Sequence, residues 1–239
     1  MQAVVLLAGK GTRMAMDYEG PKHLLPVAGK PVIEHALDQL PHEISELVFI
    51  VGGPHEETIR QHFSSGLYGG RRIVFLVQEE PLGIAHAFRV AAPVITGRWL
   101  GMVGDDIFGP RSLQKLVQQR DLSLVASRVV NPQHFGVLVT DNDGNLTHSI
   151  EKPQTFISNL VWNGAMVMDR DFFDAEIAPS ARGEYETPDV WMKLIAAGRK
   201  IKVLEADFWL PINDKQQLEE AEKLLGSRES DNPGTQHGQ

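Results

Sequence analysis

Short apolar runs rich in β-formers recur along the chain: VVLLA (4–8), LVFIV (47–51), IVFLV (73–77), WLGMVG (99–104), LSLVAS (122–127), GVLVT (136–140) and KIKVL (200–204). Between many of them lie segments of helical pattern: PVIEHALDQL (31–40), ETIRQHF (57–63) and LGIAHAFRVAAPVI (82–95). Strands alternating with helices predict an α/β fold built on a mixed, mostly parallel sheet with helices flanking it. The stretch FGVLVTDNDGNLTHSI near 134–150 breaks the alternation. Its Asn142–Asp143–Gly144–Asn145 reads as a hairpin turn, which predicts a small antiparallel insertion beside the main sheet. The last helical pattern starts at the cap-forming pair Asn213–Asp214 and runs through KQQLEEAEKLL to Gly226, with Leu218, Ala221, Leu224 and Leu225 as its apolar stripe. The polar, aperiodic SRESDNPGTQHGQ that follows predicts a disordered tail over 227–239. No internal repeat and no linker divides the rest, so residues 1–226 read as a single domain.

Composition narrows the function. With 42% hydrophobic and 23% charged residues, the 239-residue chain has the balance of an ordinary soluble globular protein. A net charge of −8 argues against nucleic acid as a partner. An anionic small substrate would have to bind through a local cluster of Arg, Lys and backbone N–H groups. The absence of cysteine excludes disulfides, thiolate nucleophiles and zinc–thiolate sites. No apolar run approaches the ~18 residues of a membrane span, and Met1 runs straight into a strand-like segment without a signal-peptide pattern. The expectation is a cytoplasmic protein with no membrane partner.

The chemistry begins at LLAGKGTRM (6–14). A glycine-rich turn after a first strand can aim backbone N–H groups at an anion. Gly9 and Gly11 are present, but Met14 stands where a dinucleotide fingerprint has its third glycine, and the spacing is not that of a P-loop. Alone, the loop reads equally well as a strand–helix turn. The next segment, PKHLLPVAGKPVIEH (21–35), adds a restrained Lys22 and a second Gly turn opening the helix at 31–40. Arg13 and Lys22 then share one long loop after strand one, and two fixed cations there suit a polyphosphate.

Taken together, LLAGKGTRM and PKHLLPVAGKP resemble the N-terminal signature of the sugar-1-phosphate nucleotidylyltransferases, and the resemblance continues to about residue 225. It implies a Rossmann-like, GT-A-like nucleotidyltransferase fold whose sugar-binding portion covers about 128–190. It also implies that Leu7, Ala8, Gly9, Gly11 and Thr12 hold the nucleotide and that Arg13 and Lys22 are catalytic. QEEPLGIAHAF (78–88) is similar to the family's base-reading segment, which gives Gln78 and Gly83 contacts to the base. LGMVGDDIF (100–108) resembles the metal-binding strand end, which assigns Mg²⁺ to Asp105. VNPQHFGVLVTDNDGNLTHSIEKP (130–153) and NLVWNGAMVMD (159–169) resemble the sugar site. They imply Gly136, Glu151, Asn163 and Gly164 near the sugar and Lys152 on its phosphate.

Two departures stand out. GEYETPD (183–189) has Pro188 where relatives have Thr, and Glu186 and Asp189 read first as helix-start residues. FWLPINDKQQLEEAE (208–222) has Pro211 where many thymidylyl- and uridylyltransferases of the family carry a second metal carboxylate. PINDKQQLEEAE is similar instead to the N-acetylglucosamine-1-phosphate uridylyltransferase branch, which makes Asn213 the second Mg²⁺ ligand. Capping of the last helix is the competing role for that side chain. The resemblance implies an enzyme that joins an NTP, with dTTP or UTP favoured, to a sugar-1-phosphate, releasing pyrophosphate. A nucleotide-sugar-binding regulator, motivated by Pro188 and Pro211, and an enzyme acting on a non-sugar phosphate or phosphonate remain as alternatives. The family's members range from monomers to tetramers, so a homo-oligomer stays open.

Overall fold

The computed structural model describes residues 1–9, 18 and 20–230, with side chains up to residue 226. The first part of the chain forms β1 (Gln2–Leu6), β2 (Pro26–Val27), β3 (Lys30–Pro31), α1 (Val32–Asp38), β4 (Glu46–Val51), α2 (Glu56–His62), β5 (Leu67–Tyr68) and β6 (Arg71–Val77). The middle adds α3 (Ile84–Arg89), β7 (Trp99–Val103), β8 (Asp106–Phe108), α4 (Pro110–Gln118), β9 (Leu122–Arg128), β10 (Gly136–Thr140), β11 (Leu146–Glu151) and β12 (Leu160–Met168). The last part contributes α5 (Asp171–Asp174), α6 (Thr187–Ala196), β13 (Ile201–Glu205), β14 (Trp209–Pro211) and α7 (Lys215–Ser230).

Ten strands make one mixed sheet in which β6, β4, β1 and β7 run parallel in that order. Both faces of these strands are covered, which is why their sequences are apolar at nearly every position. The period of two still sorts the side chains. Ala3, Val5 and Leu7 pack with Leu37 of α1 and Leu116 of α4, whereas Val4 and Leu6 pack with Phe88 of α3 and Trp191 of α6.

Beyond β7 the sheet forks. The edge of β12 opposite β9 pairs with β7 over Ala165–Met168 and with β10 at Val161. Between these two partners the ladder to β9 slips, so that Asn163, Gly164 and Ala165 bulge from β12. Gly164 meets the bend with φ +97°, and a Cβ there would lie 2.4 Å from Cγ2 of Val103. The expected hairpin is present as β10–β11. Its turn is tied by the Asp141 carboxylate, which accepts from the N–H of Asp143 (3.0 Å) and of Asn145 (2.8 Å).

Several boundaries differ from the sequence reading. The helix expected over 82–95 ends at Arg89, because Pro93 lacks an N–H and disfavours helical backbone before it. The last helix passes through Gly226 to Ser230. A single helical glycine costs about 1 kcal/mol without forcing a stop. The remainder of the expected tail, 231–239, lies outside the described residues. Among the described residues no helix is long and apolar enough to cross a membrane.

Candidate active site

The strand order reverses between β1 and β7, and in open α/β sheets ligands bind where loops diverge from such a reversal at the carboxyl ends of the strands. The loops after β1 (Ala8, Gly9), β4 (Gly52, Gly53), β6 (Gln78) and β7 (Asp105) border a cavity of about 1150 Å³ there. Leu7 is the exception among the expected nucleotide contacts. Its side chain is 1% exposed in the core, so its backbone alone is available to a ligand. Gly11, Thr12 and Arg13 lie outside the described residues.

Lys22 follows Pro21 on a short 3-10 turn and lines a smaller pocket that shares Ala8, Gly9 and Asp105 with the cleft. Its ammonium donates to Oδ2 of Asp105 (2.6 Å) and to Oδ1 of Asn213 (3.2 Å). These residues are 83 and 191 positions away in sequence. The Asp105 side chain is 32% exposed. Partial desolvation would raise its carboxyl, but the charges of Lys22 and His23 and the Lys22 hydrogen bond outweigh this and hold it below the usual carboxylate range. His23, beside it, is lowered to about 4 by desolvation.

Asn213 is free for this contact because its neighbour caps the helix. Asp214 Oδ1 accepts from the N–H of Gln217 (2.8 Å), and the Gln217 side chain returns a bond from the N–H of Asn213 (2.7 Å). This is the reciprocal logic of a capping box, and it leaves the Asn213 side chain facing Lys22. Among the described residues no three His, Asp or Glu side chains gather into a metal site. The Asp105 and Asn213 oxygens nevertheless converge on one cation already, the Lys22 ammonium, so the donor pair suits an oxygen-seeking ion whose remaining ligands come from phosphates and water.

Pro211 sits opposite Asp106 in the two-stranded β8–β14 ladder. Asp106 was not singled out from the sequence, although it stands directly after Asp105. It is 8% exposed and lines the same cavity. Burial, and then the charge of Asp105, push its carboxyl up to about 8, against a 2.9 Å hydrogen bond from the Trp209 indole.

On the opposite wall Gln78 follows β6, only 7% exposed, with its amide on Gly83 and His86. Gly83 starts α3 at φ +104°, and a Cβ there would come within 2.7 Å of the Tyr185 carbonyl oxygen, so only glycine lets the 185 segment pack against it. Beyond the fork, Gly136 pairs with Glu151 across β10–β11. A Cβ on Gly136 would come within 3.0 Å of the Glu151 carboxylate. Lys152 holds a left-handed backbone (φ +45°), rare for a non-glycine residue, and its ammonium is 3.5 Å from Glu151. Burial raises the Glu151 carboxyl despite Lys152 and Arg182 nearby. Asn163 is 1% exposed. Its Nδ2 donates to Ser127 (3.2 Å), and its Oδ1, on a residue lining the cavity, has no described partner. Glu186 occupies the N-cap position of α6 as expected, yet makes no cap bond and is taken by Arg182 (2.6 Å) and Ser180 (3.0 Å). Arg182, like Asp106 and His86, carries no motif signal in the sequence.

One cleft therefore gathers Ala8, Gly9, Gln78, Gly83, Asp105, Gly136, Glu151, Lys152, Asn163, Gly164 and Asn213, with Lys22 bonded to its rim and Leu7 behind it in the core. A sequence profile of the nucleotidyl transferase family matches residues 2–228. The chain belongs to this family. It is 36% identical over 235 residues to the UTP–glucose-1-phosphate uridylyltransferase of Haloferax volcanii, covering 94% of this chain and 96% of that one. To the bifunctional protein GlmU of Methanococcus vannielii it is 34% identical over 218 residues, 87% of this chain. The match spans about half the length of that bifunctional protein. Among solved structures, a protein assigned as a glucose-1-phosphate thymidylyltransferase from Bacillus anthracis, crystallised with sucrose, superposes with a TM-score of 0.83 at 26% identity. That superposition covers 100% of this nucleotidyltransferase and 98% of the other chain. The resemblance read from the sequence and the Rossmann-like, mostly parallel core are thereby borne out, and the chain is a nucleotidyltransferase.

Proposed function

We propose that this nucleotidyltransferase moves a nucleotidyl group from dTTP or UTP to a sugar-1-phosphate, giving an NDP-sugar and pyrophosphate, with Mg²⁺ as its metal. The observation that carries the reading is the meeting of Lys22, Asp105 and Asn213 at the point between the base wall and the β10–β11 hairpin. A sugar phosphate is already an anion and needs no protein base. The difficulty is to hold two mutually repelling anions in line, so catalysis is positioning plus charge stabilisation.

Lys22 would bridge the α-phosphate and the incoming phosphate once substrates displace it from its carboxylate. The backbone of Ala8 and Gly9, with Gly11, Thr12 and Arg13 beyond the described residues, would take the rest of the triphosphate. Gln78 and Gly83 would meet the base. Gly136, Glu151, Asn163 and Gly164 would hold the sugar, and Lys152 its phosphate. Asp105 and Asn213 would hold Mg²⁺, which when bound supplies neutralisation of phosphate charge. We take the reaction to run in the cytoplasm.

The test is pyrophosphate release by the purified protein across four NTPs and a panel of sugar-1-phosphates, with and without Mg²⁺. Release with a pyrimidine triphosphate and a hexose-1-phosphate, abolished by chelation, is expected. Nucleotide-sugar binding without release from any pair would refute the reading.

A further inference from the structure

The amide of Gln78 is fixed by two neighbours. Its Nε2 lies 3.3 Å from the carbonyl oxygen of Gly83 and 3.1 Å from Nδ1 of His86. A carbonyl oxygen only accepts, so the amide end facing Gly83 is the NH₂ group. An NH₂ group only donates, so Nδ1 of His86 accepts and the imidazole proton resides on Nε2. Both amide hydrogens are then spent, and Oε1 is what Gln78 has left to offer the cleft that it lines.

The imidazole is held in its turn. It stacks on Tyr185 (centroids 6.2 Å apart, planes at 29°). The Tyr185 backbone is clamped to the same turn, donating to Leu82 (2.7 Å) and accepting from Ala85 (3.1 Å). His86 also lines a second cavity, of about 590 Å³.

We infer that His86, together with the Gly83 carbonyl, is a positioning residue for base selection. It fixes Gln78 so that the cleft presents an acceptor to the base. That acceptor matches the N3–H of uracil and thymine, which lies between two carbonyls, and opposes cytosine, whose N3 is itself an acceptor. The inference rests on the nucleotidyl-transfer reading for what occupies the cleft. Sites built around a buried hydrogen bond reject analogues that cannot complete it far more strongly than apolar pockets reject a change of size.

The test compares the parent with His86→Leu and His86→Asn. In asparagine Oδ1 is bonded to Cγ as Nδ1 is in histidine, so it restores the acceptor. For each protein, kcat/KM for pyrophosphate release and equilibrium binding by calorimetry are measured with UTP, dTTP and CTP. The parent and His86→Asn are expected to favour UTP over CTP by about 100-fold or more. In His86→Leu the ratio is expected to fall below about tenfold as the amide becomes free to turn. A ratio taken within one protein is unaffected by general loss of folded enzyme, so structural damage alone does not move it. Full discrimination by His86→Leu, or a parent that takes CTP as well as UTP, overturns the inference. A protein that releases pyrophosphate from none of the three overturns the transfer reading instead, and the UTP-to-CTP binding ratios then decide the role of His86.

Discussion

Gly164 is the position where one added methyl group should do measurable harm. The substitution Gly164→Ala places a Cβ at φ +97° and 2.4 Å from Cγ2 of Val103, where an ordinary contact is 3.4–4 Å. The backbone strain is about 1–2 kcal/mol, and forcing an extra carbon into a packed site adds about 1–3 kcal/mol. At about 2.1 cal/mol/K per residue, 239 residues give an unfolding entropy near 0.5 kcal/mol/K. A loss of about 2–5 kcal/mol then lowers Tm by about 4–10 °C. Circular dichroism melting of Gly164→Ala, Val103→Ala and the double variant measures it. Shortening Val103 removes the struck methyl but not the strain, so the double variant should be more stable than the sum of the singles by about 1–2 kcal/mol. Val103 also leads into Gly104–Asp105, so turnover should fall with Tm. A Gly164→Ala protein melting within 1 °C of the parent, or a cycle with no coupling, would refute the argument that close approach fixes this glycine.

Lys22→Ala should lower kcat by about 10²–10³ with little change in Tm, by analogy with other preorganised charge-stabilising groups, and near-normal turnover would remove Lys22 from the mechanism. Neighbours in the last loop should separate cleanly. Asp214→Ala should cost about 1 kcal/mol of stability through the lost cap and leave metal dependence alone, whereas Asn213→Ala should raise the Mg²⁺ concentration for half-maximal rate with Tm preserved. Glu46 titrates below its usual range, chiefly because the Gln2 amide donates to it, with Arg72 assisting. Its stabilisation is therefore present above the ordinary glutamate value and disappears as pH falls through the lowered one. The Tm gap between the parent and Glu46→Gln should be constant near neutrality and close below about pH 4.5, and a gap that widens on acidification would contradict the sign.

What the sequence made legible follows from what local pattern can encode. LVFIV at 47–51 is readable because burial on both faces forces every position to be apolar. Glycines and acids at strand ends were readable as chemistry through motif spacing. The fork was not readable, because the run from Leu160 to Met168 is buried at every position, and its one interruption, Asn163–Gly164, reads as a ligand contact rather than as the place where its partner changes from β10 to β7. Three-residue strands such as β8 and β14 are too short to show a period, so the pairing that sets Pro211 against Asp106 was hidden. Asn213 and Asp214 are equally good caps on paper, and only the bond from Gln217 to Asp214 decides which one is spent on the helix. Lys22, Asp105 and Asn213 could be proposed one by one, but their meeting depends on sheet order.

The forked sheet has a consequence for leaving as well as for binding. On the proposed reaction, the nucleotide lies on one bank of the wedge and the sugar on the other, with the rigid bulge of β12 between them. Before the reaction each substrate is held by its own bank and can depart alone. Afterwards a covalent bond crosses the divide, and the product is tethered at both ends like a two-point mooring. Each end re-engages at the high local concentration set by the other, so residence lengthens with no new contact. Pyrophosphate departs from one bank only and should leave first. A rapid-quench burst of one product equivalent, followed by slower turnover, is the expected trace, and linear formation from the first turnover would show that the product leaves as easily as its halves.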